Sequence, residues 1–197
     1  MNYKYSPTKQ IFSTMSVPVN ITTPNNTYKE NVIITNPKIS KEEKRHIHSM
    51  KVIQRGSLIK YDEYDFLVIS ESITPRHAKY KAIAQHCNMN ITIFTIEWEI
   101  ALDEDGNPIL DDQGRPEMVE VKKEYNVPAV GFNANFRIDE GQIRVPLERL
   151  YIDIQDNEKN KELFKMNATF EYGEEWKVVD QDITQRGLLK IICEKTT

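Results

Sequence analysis

Residues 50–93, MKVIQRGSLIKYDEYDFLVISESITPRHAKYKAIAQHCNMNITI, constrain the fold more than any other stretch. They carry three strand signals in succession. The first spans residues 57–61, SLIKY, entered through Arg55-Gly56 and left through Asp62-Glu63. The second spans residues 64–70, YDFLVIS, rich in the β-branched and aromatic side chains that suit a pleated, half-buried surface. The third runs over residues 79–86 and continues after Asn88 as residues 91–96. No apolar stripe of helical period competes here, so the expected core is built from sheets.

The remaining sequence extends that pattern. Residues 1–31 are dominated by Thr, Asn, Ser and Pro, with Ile11, Phe12, Val17, Val19 and Ile21 as scattered apolar anchors. They are expected to form an N-terminal arm with an edge strand, the usual place for Pro18. Residues 32–197 are expected to form one β-barrel-like domain, divisible into halves at 50–98 and 117–195. Ser40 and Glu43 have capping-box spacing, which predicts a short helix in the segment that follows. Residues 99–116 contain two turn signals in tandem, Asp105-Gly106 and Gln113-Gly114, and predict a protruding acidic hairpin loop. Strands are expected over residues 117–125, 125–136 and 144–154, and a charged turn over residues 156–161.

Residues 166–183 repeat the theme of residues 55–69: a short strand, an acidic turn, then an aromatic-led strand. Residues 184–193 follow as residues 79–87 do. The pattern predicts two related β-units, each a hairpin with a third strand. The expected fold is therefore all-β, a small barrel or sandwich with an N-terminal arm and a long acidic loop.

Composition excludes several function classes. The chain has 197 residues and a formal net charge of −4, against the basic face of a dedicated DNA-binding module. A mildly acidic wall does suit a channel through which DNA slides without sticking. Its mean hydropathy of −0.58 fits thin barrels and extended segments that draw stability from neighbouring subunits. The polar opening carries no secretory leader pattern, no membrane span is expected, and a cytoplasmic origin with Cys87 and Cys193 as reduced thiols is expected.

Chemical motifs are sparse. The 7 glycines form no phosphate-cradling array, and there is no GxSxG. His86 adjoins Cys87, but strand neighbours point to opposite faces and make a poor dyad. His46 and His48 have the spacing of half a metal site, with no third ligand evident. Asp103, Asp105 and Asn107 alternate as in a calcium loop, but Pro108 and Gly114 stand where that loop needs Gly and Glu. No catalytic, cofactor-binding or metal residue is expected, and no enzymatic activity.

Three stretches together carry a resemblance. They are residues 55–61 with Phe66-Leu67-Val68-Ile69, Gln85-His86-Cys87-Asn88, and residues 168–173 with Trp176-Lys177-Val178, Asp182 and residues 187–191. In this order the chain resembles the head–tail connector proteins of tailed bacteriophages, of the head-closure or stopper type. It departs at Asp62, where that pattern often has Gly. The resemblance implies a virion neck protein that forms a homo-oligomeric ring. Such a ring would bind a portal or adaptor on one side and tail proteins on the other, and touch genomic DNA in passing. A tail-side role, as tail terminator, tail tube or baseplate hub, is the alternative it leaves open. The candidate partner contacts are Tyr3, Tyr5, Ile11 and Phe12 in the arm, and Asp103, Asp105, Asp111, Asp112 and Arg115 in the acidic loop.

Overall fold

A computed structural model describes residues 7–37, 43–73, 79–133 and 149–196. It is all-β, as expected, but its strands divide between two sheets. The first is a closed antiparallel barrel of β1 (Val17–Thr22), β2 (Thr27–Thr35), β3 (Lys44–Ser49), β4 (Leu58–Tyr61), β5 (Tyr64–Val68) and β6 (Tyr80–His86), in the order β1-β2-β3-β6-β5-β4. The second has six strands: β7 (Met89–Ile100), β8 (Met118–Asn133), β9 (Arg149–Gln155), β10 (Thr169–Tyr172), β11 (Glu174–Asp182) and β12 (Leu188–Lys195), in the order β10-β11-β12-β9-β8-β7.

Alternation fills both interiors. In the barrel, Val19, Ile21, Val32, Ile47, Ile59, Phe66, Val68, Ala82 and Ala84 point inward. Closure comes from β1, whose Asn20, Ile21 and Thr22 pair with Lys60, Ile59 and Leu58 of β4. A closed sheet of this size leaves no edge to solvent and room only for side chains. The stretch expected as an arm is thus corrected. Residues 17–31 belong to the barrel wall, because Val19 and Ile21 alternate inward and Pro18 faces outward. Ahead of them, α1 (Pro7–Met15) begins with Pro at the first helical position, where its missing N–H costs nothing. It buries Phe12 against the outside of the barrel.

Three further expectations change. Residues 44–49 form β3 rather than a helix, and the capping position Ser40 lies outside the described residues. Residues 79–96 are not one interrupted strand: the chain leaves the barrel after His86 and enters the second sheet at Met89. Met118–Asn133 form one long strand through Pro128, residues 134–148 of the next expected strands lie outside the described residues, and α2 (Glu158–Leu163) overlaps the expected charged turn. Asn157 caps this helix, its side chain accepting from the Asn160 N–H at 2.7 Å. The departure at Asp62 also has a cause. That residue sits at φ +52°, a left-handed turn conformation that Gly adopts freely and Asp tolerates.

Each unit ends in a three-stranded antiparallel meander, β4-β5-β6 in one and β10-β11-β12 in the other. The two units are joined by an apolar contact of Leu67, Val130 and Leu188, flanked by Leu58, Ile69 and Cys87. Polar bonds fix its edges. Buried Gln155 donates from Nε2 to the carbonyls of Thr22 and Gly56, each at 2.9 Å. Arg55 Nε donates to the Arg186 carbonyl at 2.7 Å. Gly56 and Gly187 lie backbone to backbone between the units, at φ +83° and +88°.

Candidate functional site

The β7–β8 hairpin outgrows the sheet that carries it. β9 pairs with β8 only at residues 130–133, whereas β7 pairs with β8 along its whole length to Ile100↔Met118. Beyond Phe94 the hairpin is a two-stranded ribbon. Phe94, Ile96, Trp98 and Ile100 alternate along β7 and so share one face. They are 55 %, 66 %, 61 % and 45 % exposed. Met118 extends the row across the pair, and Lys122 places its ammonium 4.2 Å from the Phe94 ring centre. No other element among the described residues covers this apolar row.

The opposite face of the ribbon carries charge. The Glu97 carboxylate accepts from Lys159 Nζ at 2.8 Å and the Tyr125 hydroxyl at 2.6 Å, and pairs with Lys123 at 3.1 Å. Lys123 also pairs with Glu99, and Lys159 lies over the Tyr125 ring. The Lys159 hydrogen bond, then those from Tyr125 and Lys123, hold the Glu97 carboxyl down at about 2. A depressed carboxyl pKa stabilises the fold where the unfolded chain is also ionised, and that contribution fades as the folded group takes a proton. The contact between ribbon and α2 is therefore expected to be complete above about pH 4.5 and lost as pH falls towards about 2. An NMR titration of the Glu97 carboxyl carbon checks this, since a midpoint near the ordinary 4.5 would contradict it.

The ribbon ends in two matching turns, ALDEDGNP and ILDDQGRP, at residues 101–108 and 109–116. In the first, Asp103 Oδ1 accepts the N–H groups of Asp105 and Asn107, and Gly106 is at φ +82°. In the second, Asp111 Oδ1 accepts those of Gln113 and Arg115, and Gly114 is at φ +75°. Backbone bonds from Ile109 N to Ala101 O, Glu117 N to Ile109 O and Ala101 N to Glu117 O close the three segments into a ring. The eight-residue period was visible in the sequence as two turn signals, but its closure was not.

The sequence candidates therefore separate into groups. Asp103 and Asp111 spend a carboxylate oxygen on their own turns, and Arg115 pairs with Asp111 at 2.9 Å. Asp105 and Asp112 are exposed at the tip, and Ile11 is exposed on α1. Phe12 is buried and anchors its helix rather than facing outward. Tyr3 and Tyr5 lie outside the described residues. Sequence reasoning missed Phe94, Ile96, Trp98 and Ile100, whose alternation looks like that of an ordinary half-buried strand.

Burial pushes the Cys87 and Cys193 thiols up to about 12, so neither supplies a thiolate near neutral pH. His86 Nδ1 is 2.7 Å from a Glu43 oxygen. Among the described residues no group of three or more His, Cys, Asp or Glu side chains stands close enough to hold a metal ion. A cleft of about 320 Å3 is lined by Asn88, Met89, Gly131, Phe132, Tyr172, Trp176 and Glu174. No helix among the described residues is long and apolar enough to cross a membrane.

Two family models divide the chain where the fold does. The YomX N-terminal domain matches residues 2–86, and the YomX C-terminal domain matches residues 87–194. The chain belongs to the YomX family. The junction of the two YomX domains falls between β6 and β7, where the chain passes from the barrel to the second sheet. YomX is a phage-gene-derived family, in keeping with the phage resemblance of the hairpin motifs. No curated protein and no solved structure matches the chain.

Proposed function

We propose that this YomX-family chain is a structural subunit of the phage particle, placed in the neck. There, identical copies would form a ring between the portal or adaptor and the tail. The ring would close the DNA channel and present a surface for tail attachment. The exposed apolar row on the β7–β8 ribbon carries the reading, because an outward row of large side chains has no use in a free monomer and invites a partner. A two-unit block whose thiols have raised pKa values suits a role in which geometry, not bond chemistry, is the function. DNA would be a passing contact, held off by like charge.

The experiment is mass spectrometry of purified particles together with deletion of the gene. The expected result is the chain in the particle, and a deletion that yields filled heads which leak DNA and lack tails. Full tailless heads that keep their DNA would move the protein to the tail side, as terminator, tube or hub. Absence from the particle would remove both structural roles.

A further inference from the structure

Charge is segregated along this chain. Between Glu97 and Glu124 there are ten carboxylates against three cations, Arg115, Lys122 and Lys123. That ribbon has a formal charge of −7, which leaves +3 on the rest of a chain whose total is −4. An apolar row and an acidic tip thus project together from a body of opposite sign.

A matching groove lies on the barrel. α1 packs on the outside of β2, leaving a cavity of about 240 Å3 lined by Ile11, Phe12, Met15, Ile33, His48 and Lys79, with Thr8 and Thr35. This is smaller than the ~300–1,000 Å3 of typical small-molecule pockets, so it suits inserted side chains. Ile11 and Met15, one helical turn apart, are 51 % and 62 % exposed at its rim. Among the described residues, Lys79 is the charged residue in the lining and no carboxylate lines it. His48 Nε2 is 3.2 Å from Thr35 Oγ1, and its Nδ1 is buried with no hydrogen-bond partner among the described residues. Burial, then Lys79 and Lys81, disfavour protonation of that ring. The groove therefore presents apolar side chains and the Lys79 ammonium to an incoming group.

We infer that the β7–β8 ribbon of one copy docks in the α1 groove of the next, its Ile96–Trp98 row against Ile11 and Met15 and its acidic tip towards Lys79 and Lys81. The contact is heterologous: two different surfaces of one chain meet, so repetition builds a ring if the rotation closes. Seven residues from Phe94 to Ile100, at about 3.4 Å each, give the ribbon a reach of roughly 24 Å, enough to leave its own subunit. Opposite charge steers the encounter, and the apolar rows supply the short-range attraction.

The inference rests on the reading of the chain as a self-assembling subunit, and a mixing experiment tests it separately. The full chain, a ribbon variant (Ile96→Lys with Trp98→Lys) and a groove variant (Met15→Glu with Lys79→Glu) are compared by sedimentation velocity. The unaltered chain is expected to form oligomers, and each variant alone to sediment as a monomer. A mixture of the two variants is expected to give a dimer and stop there, because it contains one intact ribbon–groove pair. A groove variant that assembles like the unaltered chain overturns the inference, as does a mixture that stays monomeric. So does an unaltered chain that remains monomeric at its highest soluble concentration. If a variant melts below the unaltered chain, Ile100→Lys and Ile11→Glu, both at exposed positions, carry the same test. Particle composition is read separately, so loss of this contact and loss of the virion role are distinguishable.

Discussion

Gly56→Ala is expected to cost about 3–4 kcal/mol and lower the melting temperature by roughly 10 °C. Two causes add. The backbone at Gly56 has φ +83°, where an L side chain is strained. A Cβ there would stand 1.7 Å from the Gly187 carbonyl oxygen, and backbone on backbone has no rotamer to escape into. Relief requires the barrel and the second sheet to separate. Separation strips the Leu67–Val130–Leu188 contact and removes the Gly56 carbonyl from buried Gln155. Calorimetry is expected to show one cooperative transition in the unaltered chain and two in the variant. A variant that melts as a single transition at the unaltered temperature would show that the two glycines do not fix the junction.

Phe164→Ala is expected to cost about 3–5 kcal/mol, the usual range for removing a fully buried aromatic side chain. Phe164 closes the end of α2, has no exposure, and meets Phe170 edge to face at 5.6 Å. Its ring belongs to the core of the second sheet, with Trp176, Val178 and Ile191. Damage should therefore stay in that sheet. Side-chain NMR signals of Ile21, Ile47 and Ile59 in the barrel are expected to keep their shifts while those of Ile152 and Ile191 broaden or move. Equal disturbance in both sets would mean that the two cores are energetically one. Phe164→Leu keeps most of the volume and should lose about a third as much.

These two predictions show what a chain pattern can and cannot specify. The strand signals at residues 57–61, 64–70 and 79–86 became β4, β5 and β6 because each hairpin is local, with its turn residues beside it. The tandem turns at residues 101–116 were legible for the same reason, since each Asp caps a turn two to four residues away. Residues 17–31 were not legible as barrel wall. The closing pairing of Asn20, Ile21 and Thr22 with β4 spans about forty positions, and no local residue announces a partner at that distance. The Asn157 cap of α2 was present in the sequence but masked by charged neighbours that favour a turn.

By itself, the sequence determined an all-β chain, its hairpins, its acidic loop and which side chains share a strand face, because alternation and turn chemistry act over a few residues. Only the tertiary structure decided that the strands split into a closed barrel and a second sheet, and that Phe94, Ile96, Trp98 and Ile100 face outward. Alternation fixes which side chains lie together on a face. Whether that face is covered depends on what packs over it, here the charged pairing of Glu97 with Lys123 and Lys159 on the opposite side, and no period-two pattern carries that information.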